Sequence, residues 1–294
     1  MDIAVTISYP IILGLITALT MLFPSGGHAD ILIGGQTTYT IQKGDSLILI
    51  GAKLGVNWQT IVRENEVELD KPLKIGRTLK VNTRKIVPRV TESGIIVNIP
   101  DRMLYYFKEG KLASAFPVGL GRPEWETPTG AFTIRGRERN PTWHVPASIR
   151  EEMETKGEAL VTAVPPGPDN PLGRYALQTS IPGVLLHETI WPTSVYRFRS
   201  HACIRIMADN MEKFFQSVKV GTGGEIIYEP VKVALTDKGR ILLEVHRDIY
   251  KKFSSLDAEV RKLLDKRGLS GKVNWEKVNK VLQEKPDTAE DVTS

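Results

Sequence analysis

The chain has 294 residues, which is too long for one small domain and suits roughly two. Hydrophobic residues make up 41% and charged residues 25%, with 25 Gly and 18 Pro, so wholesale disorder and collagen-like or coiled-coil architectures are excluded. The 39 Lys+Arg against 34 Asp+Glu give a net charge of +5, dispersed along the chain, so there is no nucleic-acid footprint and an anionic polymer is favoured only weakly.

No charged residue lies between Asp2 and Asp30, and residues 11–23 (IILGLITALTMLF) form an apolar run of the length a signal-peptide core needs. Small residues at Gly27 and Ala29 suit cleavage before Asp30, making residues 1–29 an export signal. The stretch ahead of the apolar run carries Asp2 and no Lys or Arg, which keeps an uncleaved membrane anchor through residues 3–23 as the alternative. Both readings put the remainder outside the cytoplasm. Cys203 is the single cysteine, which rules out an intrachain disulfide. An unpaired thiol in an oxidising compartment is a candidate nucleophile.

From residue 36, YTIQKGDSL reads as a strand meeting a Gly-Asp turn, followed by a helix with Leu47, Ile50 and Leu54 on one face. Gly55 stops that helix and Asn57 caps the next, whose apolar face is Trp58, Ile61 and Val62, read as core positions. A strand at residues 78–81 completes a β-α-α-β unit. The segments YTIQKGDSL, LGVNWQTIVREN and LKIGRTLKV resemble the LysM module. The resemblance implies a glycan-binding module over residues 36–83, held to peptidoglycan glycan strands by the loops after the first strand and before the last. Residues 84–92, with KIVPR, read as a linker.

Residues 93–230 alternate short β-rich runs with long loops, and helical periodicity is confined to residues 149–155 and 210–217, so this region is mostly β. Four prolines at 165, 166, 168 and 171 stiffen one loop. The other notable segment joins a strand ending in His187 to SHACIR at residues 200–205. A thiol attacks acyl carbons well when a base or positive charge raises its thiolate fraction, and this segment supplies His187, His201 and Arg205. The same residues fit an inert buried cysteine beside a histidine, or a zinc site from His187, His201 and Cys203, although His201-x-Cys203 is cramped for two ligands. The turn at residues 200–203 offers backbone N–H groups for an oxyanion hole.

NPTWHVP, VPPGPDNPLGRYAL, LLHETIWPTS and SHACIR resemble, in order and spacing, the L,D-transpeptidase catalytic domain of the YkuD type. The resemblance implies a β-sandwich in which Cys203 is the nucleophile, His187 the proton donor and acceptor, and His201 an auxiliary group, with Ser200 and Arg205 shaping the pocket. It implies acyl transfer on peptidoglycan stem peptides with loss of D-Ala, no metal or organic cofactor, and acylation by carbapenem β-lactams. Two glycines of the family pattern are absent. Glu188 follows His187, where a carboxylate would raise the basicity of that imidazole, and Ala202 precedes Cys203, where a Cβ would strain the oxyanion turn. These departures make a catalytically degenerate wall-binding protein the competing expectation, and water as acceptor would make the enzyme an L,D-carboxypeptidase.

Residues 231–294 read as a strand–turn–strand followed by two amphipathic helices, a short α/β appendage, with 285–294 as a frayed tail.

Overall fold

A computed structural model describes residues 30–294; the export-signal and anchor readings concern residues 1–29 and lie outside the described residues. No helix among the described residues is long and apolar enough to cross a membrane. The first module is held by two antiparallel strands, Gln36–Thr40 and Thr78–Asn82, with Thr38 opposite Lys80. Between them run helices α1 (Leu47–Leu54) and α2 (Trp58–Asn65). Ser46 and Asn57 start these helices because their side-chain oxygens accept the orphan N–H groups of Leu49 and Gln59, at 3.2 and 3.0 Å, each cap contributing about 1 kcal/mol. Ile41, Ile50, Ile61 and Leu79 close the core.

Gly55 ends α1 with a φ of 66°, and a Cβ there would lie 3.1 Å from Pro117 Cγ and 3.2 Å from Met103 Sδ. Glycine thus serves both the left-handed cap and the close seating of the module on the next domain. Trp58 departs from the expected core packing. It is half-buried and lines a groove at the domain boundary.

The next domain is one nine-stranded mixed sheet. Its order is Phe198–Ser200, Lys111–Gly121, Ile204–Ile206, Leu185–Glu188, Tyr175–Thr179, Gly130–Arg139, Gly223–Ile227, Gly94–Asn98, Met103–Lys108. Met103–Lys108 pairs back onto Lys111–Gly121, so the sheet closes on itself in place of the two separate layers of the expected sandwich. The 11-residue length of Lys111–Gly121 and a register shift beside Tyr106 allow one strand to serve both ends. Helix α3 (Ala147–Thr155) lies in a long insertion, and α4 (Ala208–Ser217) drives Met211, Phe214 and Phe215 into the main core. Phe214 meets Tyr106 and Phe116 edge-on at ring separations of 5.6 and 5.3 Å.

The C-terminal part pairs Val231–Leu235 with Ile241–Val245 and packs α5 (Leu256–Lys266) and α6 (Trp275–Glu284) on them. Its end is not frayed. Residues 286–289 are buried, and Glu290–Asp291 adds a third strand to Ile241–Val245. The segment read as a linker is packed into the fold, for Lys85–Ile86 pairs with Leu32–Ile33 and Lys85 is only 1% exposed.

A buried ionic cluster explains both features. Lys232 Nζ lies 2.7 Å from Asp101 Oδ2 and 3.1 Å from Glu244 Oε1. His246 bridges Glu244 Oε1 at 2.8 Å and Asp287 Oδ1 at 3.0 Å, while Arg102 pairs with the other oxygen of Asp287. Lys85 donates to the Tyr196 hydroxyl at 2.7 Å and to the Asp287 carbonyl, and the Ile86 N–H donates to Glu244 Oε2 at 2.6 Å. Residues 85–86, the turn at Asp101 and Arg102 in the nine-stranded domain, and the C-terminal tail are therefore tied by charges that none can leave buried alone. Burial alone would raise the pKa of Glu244, but the Lys232 charge and then the His246 hydrogen bond hold it down to about 2. A folded value below the unfolded one, about 4.3, means this stabilisation is fully present above that pH and is lost as pH falls through about 2.

Glu244→Gln should lower the unfolding free energy in urea by about 3–5 kcal/mol, because Lys232 and Lys85 lose a buried counter-charge. It should also flatten the acid loss of stability. An unchanged urea midpoint at pH 7 would count against the cluster as the tie between the three parts.

Candidate active site

The register of two parallel strands builds the site. Leu185–Glu188 lies beside Ile204–Ile206 with Leu186 level with Ile204 and His187 level with Arg205. Side chains alternate along a strand, so Leu186, Ile204 and Ile206 enter the core, all at 0% exposure. His187, Arg205 and, one step before the strand, Cys203 line the opposite side, where a pocket of about 310 Å³ opens. The short strands Trp143–His144 and Ala163–Val164 form a hairpin that carries α3, and Trp143 and Ile149 from this insertion also line the pocket.

His187 is buried, and its Nδ1 donates to the Glu188 carbonyl at 2.5 Å, which leaves the lone pair of the neutral ring on Nε2. Burial, reinforced by the nearby Arg205 charge and opposed by the Glu188 carbonyl, lowers its pKa to about 4. The ring is therefore an uncharged base at pH 7. Burial also raises the pKa of the Cys203 thiol, against smaller opposing effects from the Leu185 N–H and the Arg205 charge. Its Sγ sits 3.5 Å from the Gly183 carbonyl, to which the S–H donates. No hydrogen bond joins Cys203 to His187 among the described residues, so the structure holds thiol and imidazole in one pocket without the direct contact. The resting pair is neutral, in contrast to the expected pre-activated thiolate.

Both departures from the glycine pattern have a structural account. Glu188 points away from His187 by strand alternation, lies against Gly173, and receives Arg174 Nε at 3.3 Å on both carboxylate oxygens. Its side chain is therefore no source of basicity for His187; only its main-chain carbonyl reaches the ring. A Cβ on Gly173, whose φ is 64°, would come within 2.7 Å of Glu188 Cβ, so the larger side chain at 188 depends on glycine at 173. Ala202 adopts a φ of 71°, the left-handed conformation a glycine would take there. Its Cβ packs against the main core and its carbonyl accepts from Thr127 Oγ1 at 2.9 Å, which offsets the roughly 1–2 kcal/mol cost of that backbone.

Ser200 is buried and donates from Oγ to the Cys203 carbonyl at 2.5 Å, so it fixes the turn rather than the thiol. Arg205 stands on the His187 side of the sheet with its guanidinium carbon 5.4 Å from the Trp191 ring centre. His201 faces α3, where its Nε2 meets Glu152 Oε2 at 2.6 Å and Arg122 Nη2 at 3.0 Å. Hydrogen bonds from Lys156, Arg122 and His201 lower the Glu152 pKa to about 2. His201 therefore clasps the insertion over the pocket and does not sit with Cys203 and His187 as a zinc ligand would require.

Three further side chains support the site. Asn170 is fully buried and its Nδ2 donates to the carbonyls of Pro141, Val164 and Pro165 at 2.8, 3.1 and 3.2 Å, locking the proline-rich loop. Thr127 joins the Ala202 carbonyl to the Gly121 N–H, at 2.9 Å each. Tyr250, from the C-terminal part, donates to the Gly121 carbonyl at 2.6 Å and braces the same turn. Asp101, Glu244 and His246 converge as metal ligands would, but Lys232 Nζ holds the position between the carboxylates.

Residues 92–233 match the family description "L,D-transpeptidase catalytic domain", and residues 39–82 match the LysM domain. The probable L,D-transpeptidase YcfS of Escherichia coli is 31% identical, over 78% of this chain and 72% of its own. The probable L,D-transpeptidases ErfK/SrfK and YbiS of the same organism are 31% and 30% identical, each over 79% of this chain and 76% and 77% of theirs. With the cysteine and histidine on one pocket wall and both modules matched, the chain belongs to the L,D-transpeptidase family.

Proposed function

We propose that Cys203 is the nucleophile and His187 the proton acceptor and donor of acyl transfer on peptidoglycan. The observation that carries this reading is the parallel register that puts the two residues on one wall of the pocket. As Sγ attacks the carbonyl of the L-centred third residue of a tetrapeptide stem, the thiol proton passes to His187 Nε2. The bond to D-Ala then breaks and the imidazolium returns the proton to the leaving amine. An amine of a second stem attacks the thioester and frees the thiol, cross-linking or remodelling the wall; water in that role gives carboxypeptidase activity. A histidine with a pKa near 4 is a weak base but a strong acid once charged, which suits delivery of the proton to the amine.

N–H groups of the 200–203 turn would stabilise the oxyanion, with Ser200 holding the turn and Arg205 shaping the pocket. The LysM module, over 36–83, tethers the enzyme to glycan strands through residues 42–47 and 68–75, which border a cleft where Leu69 and Ile75 stand 64% and 62% exposed. Residues 93–230 carry the chemistry, residues 231–294 brace it, and the substrate implies export to the periplasm or envelope of a bacterium. Because Glu188 and Ala202 are both accommodated, neither favours a degenerate wall-binding protein.

A carbapenem should leave a single adduct on the peptide containing Cys203, read by intact-protein and peptide mass spectrometry and absent in Cys203→Ala. His187→Ala should slow its formation by about 10²–10⁴-fold, with a smaller loss in His201→Ala, and a folded wild-type protein that never acquires the adduct would refute the enzymatic reading. Free Cys203 should react with iodoacetamide at pH 7 more slowly than a small exposed thiol, since burial raises its pKa.

Glu188→Gln should leave the pH profile of acylation in place, because that carboxylate faces Arg174 rather than the histidine. Ala202→Gly should change the acylation rate by less than about threefold, since the turn already holds the geometry in which its donors count. A shifted acid limb in the first variant, or a hundredfold gain in the second, would restore strain and charge at these positions as limits on activity.

A further inference from the structure

A second cavity, of about 350 Å³, lies where the LysM module, the catalytic sheet and the C-terminal part meet. Four arginines line it, Arg102, Arg197, Arg199 and Arg247, against one acidic residue, Asp287. That carboxylate is already committed to Arg102 and His246. Arg197, Arg199 and Arg247 make no ion pair with a described residue, and Arg102 Nε is a buried N–H without a partner. Arg197 is half-buried, and burial followed by the Arg199 charge lowers its pKa, so the cations disfavour one another where they stand. Arg102 is held in place by its stacking on Tyr196, 4.1 Å from the ring centre. Clustered arginines of this kind match planar carboxylates, which they bind through paired N–H donors.

The groove has two neighbours that narrow the ligand. Trp58 of the LysM module lines one side. The strand Phe198–Ser200 lines the other, and Ser200 and His201, next along the chain, border the pocket of Cys203. A ligand seated here touches the glycan-binding module while lying one strand away from the nucleophile. We propose that this groove binds the carboxylates of an acidic peptide stem of the same wall polymer, a second site that orients the polymer beside the catalytic pocket. The choice of a wall stem rests on the transpeptidase reading above; the anionic character of the site does not.

The test uses the full chain carrying Cys203→Ala, so that no chemistry intervenes, and calorimetric titration with the tetrapeptide L-Ala-γ-D-Glu-meso-diaminopimelate-D-Ala. Adding Arg197→Gln and Arg199→Gln together should weaken binding by about tenfold or more, with an unchanged melting temperature to show that the fold is intact. The same peptide with its carboxylates amidated should bind the parent protein as weakly as the free acid binds the double variant. Equal binding of the acid and amide forms, or no loss in the double variant, overturns the proposal. Because these measurements do not involve Cys203, they stand whether or not carbapenem acylation succeeds, and failure of acylation alone would refute the catalytic reading and not the groove.

Discussion

The parallel pairing of Leu186 with Ile204 is the constraint on which the site depends. A one-residue slip of Leu185–Glu188 would turn His187 into the core and bring Leu186 to the pocket beside Cys203 and Arg205. The register is secured by what lies on the other face, where Leu186, Ile204 and Ile206 are packed with Phe214 and Leu120. Chemistry on one side of the sheet is thus fixed by hydrophobic burial on the other. The left-handed turn at Ala202 then brings Cys203 into the pocket, held by Thr127 and Ser200 through main-chain carbonyls.

Burial also sets the charge state of the site. His187 loses more by desolvation than it recovers from the Glu188 carbonyl, and Cys203 is likewise held as a thiol. Both side chains are therefore held uncharged by the same burial. The cost of carrying charge is accepted elsewhere, in the cluster of Lys85, Lys232, Glu244 and Asp287, where each ion has a buried counter-charge or hydrogen-bond partner. That cluster reaches the Cys203 loop through Tyr196, whose hydroxyl accepts from Lys85.

Much of this was legible in the sequence where the signal is local. Ser46, Asn57 and Gly55 mark the ends of two helices by their own side-chain and backbone chemistry, and the segments around His187 and Cys203 carry a family resemblance. Long-range compensation was not legible. Lys85 in a Pro-containing segment reads as part of a linker, and Tyr196, Glu244 and Asp287, far along the chain, make its burial tolerable. The last ten residues read as a frayed tail because their composition is polar, yet Ala289 and Val292 are buried and Asp287 is ion-paired. At Glu188 the local rule misled for a geometric reason: adjacent residues of a strand face opposite ways, so a carboxylate next in sequence to His187 is not next to it in space.

On the proposed mechanism a neutral His187, its pKa lowered by burial, takes the proton of a neutral Cys203. The pH dependence of carbapenem acylation, followed by mass spectrometry under single-turnover conditions, tests it most directly. Below the pKa of the imidazole the base is already protonated, so the rate should hold from pH 7 down to about pH 5 and fall through about 4. An acid limb centred near 6.5, the value of an unperturbed histidine, or a profile that is the same in His187→Ala, would contradict it.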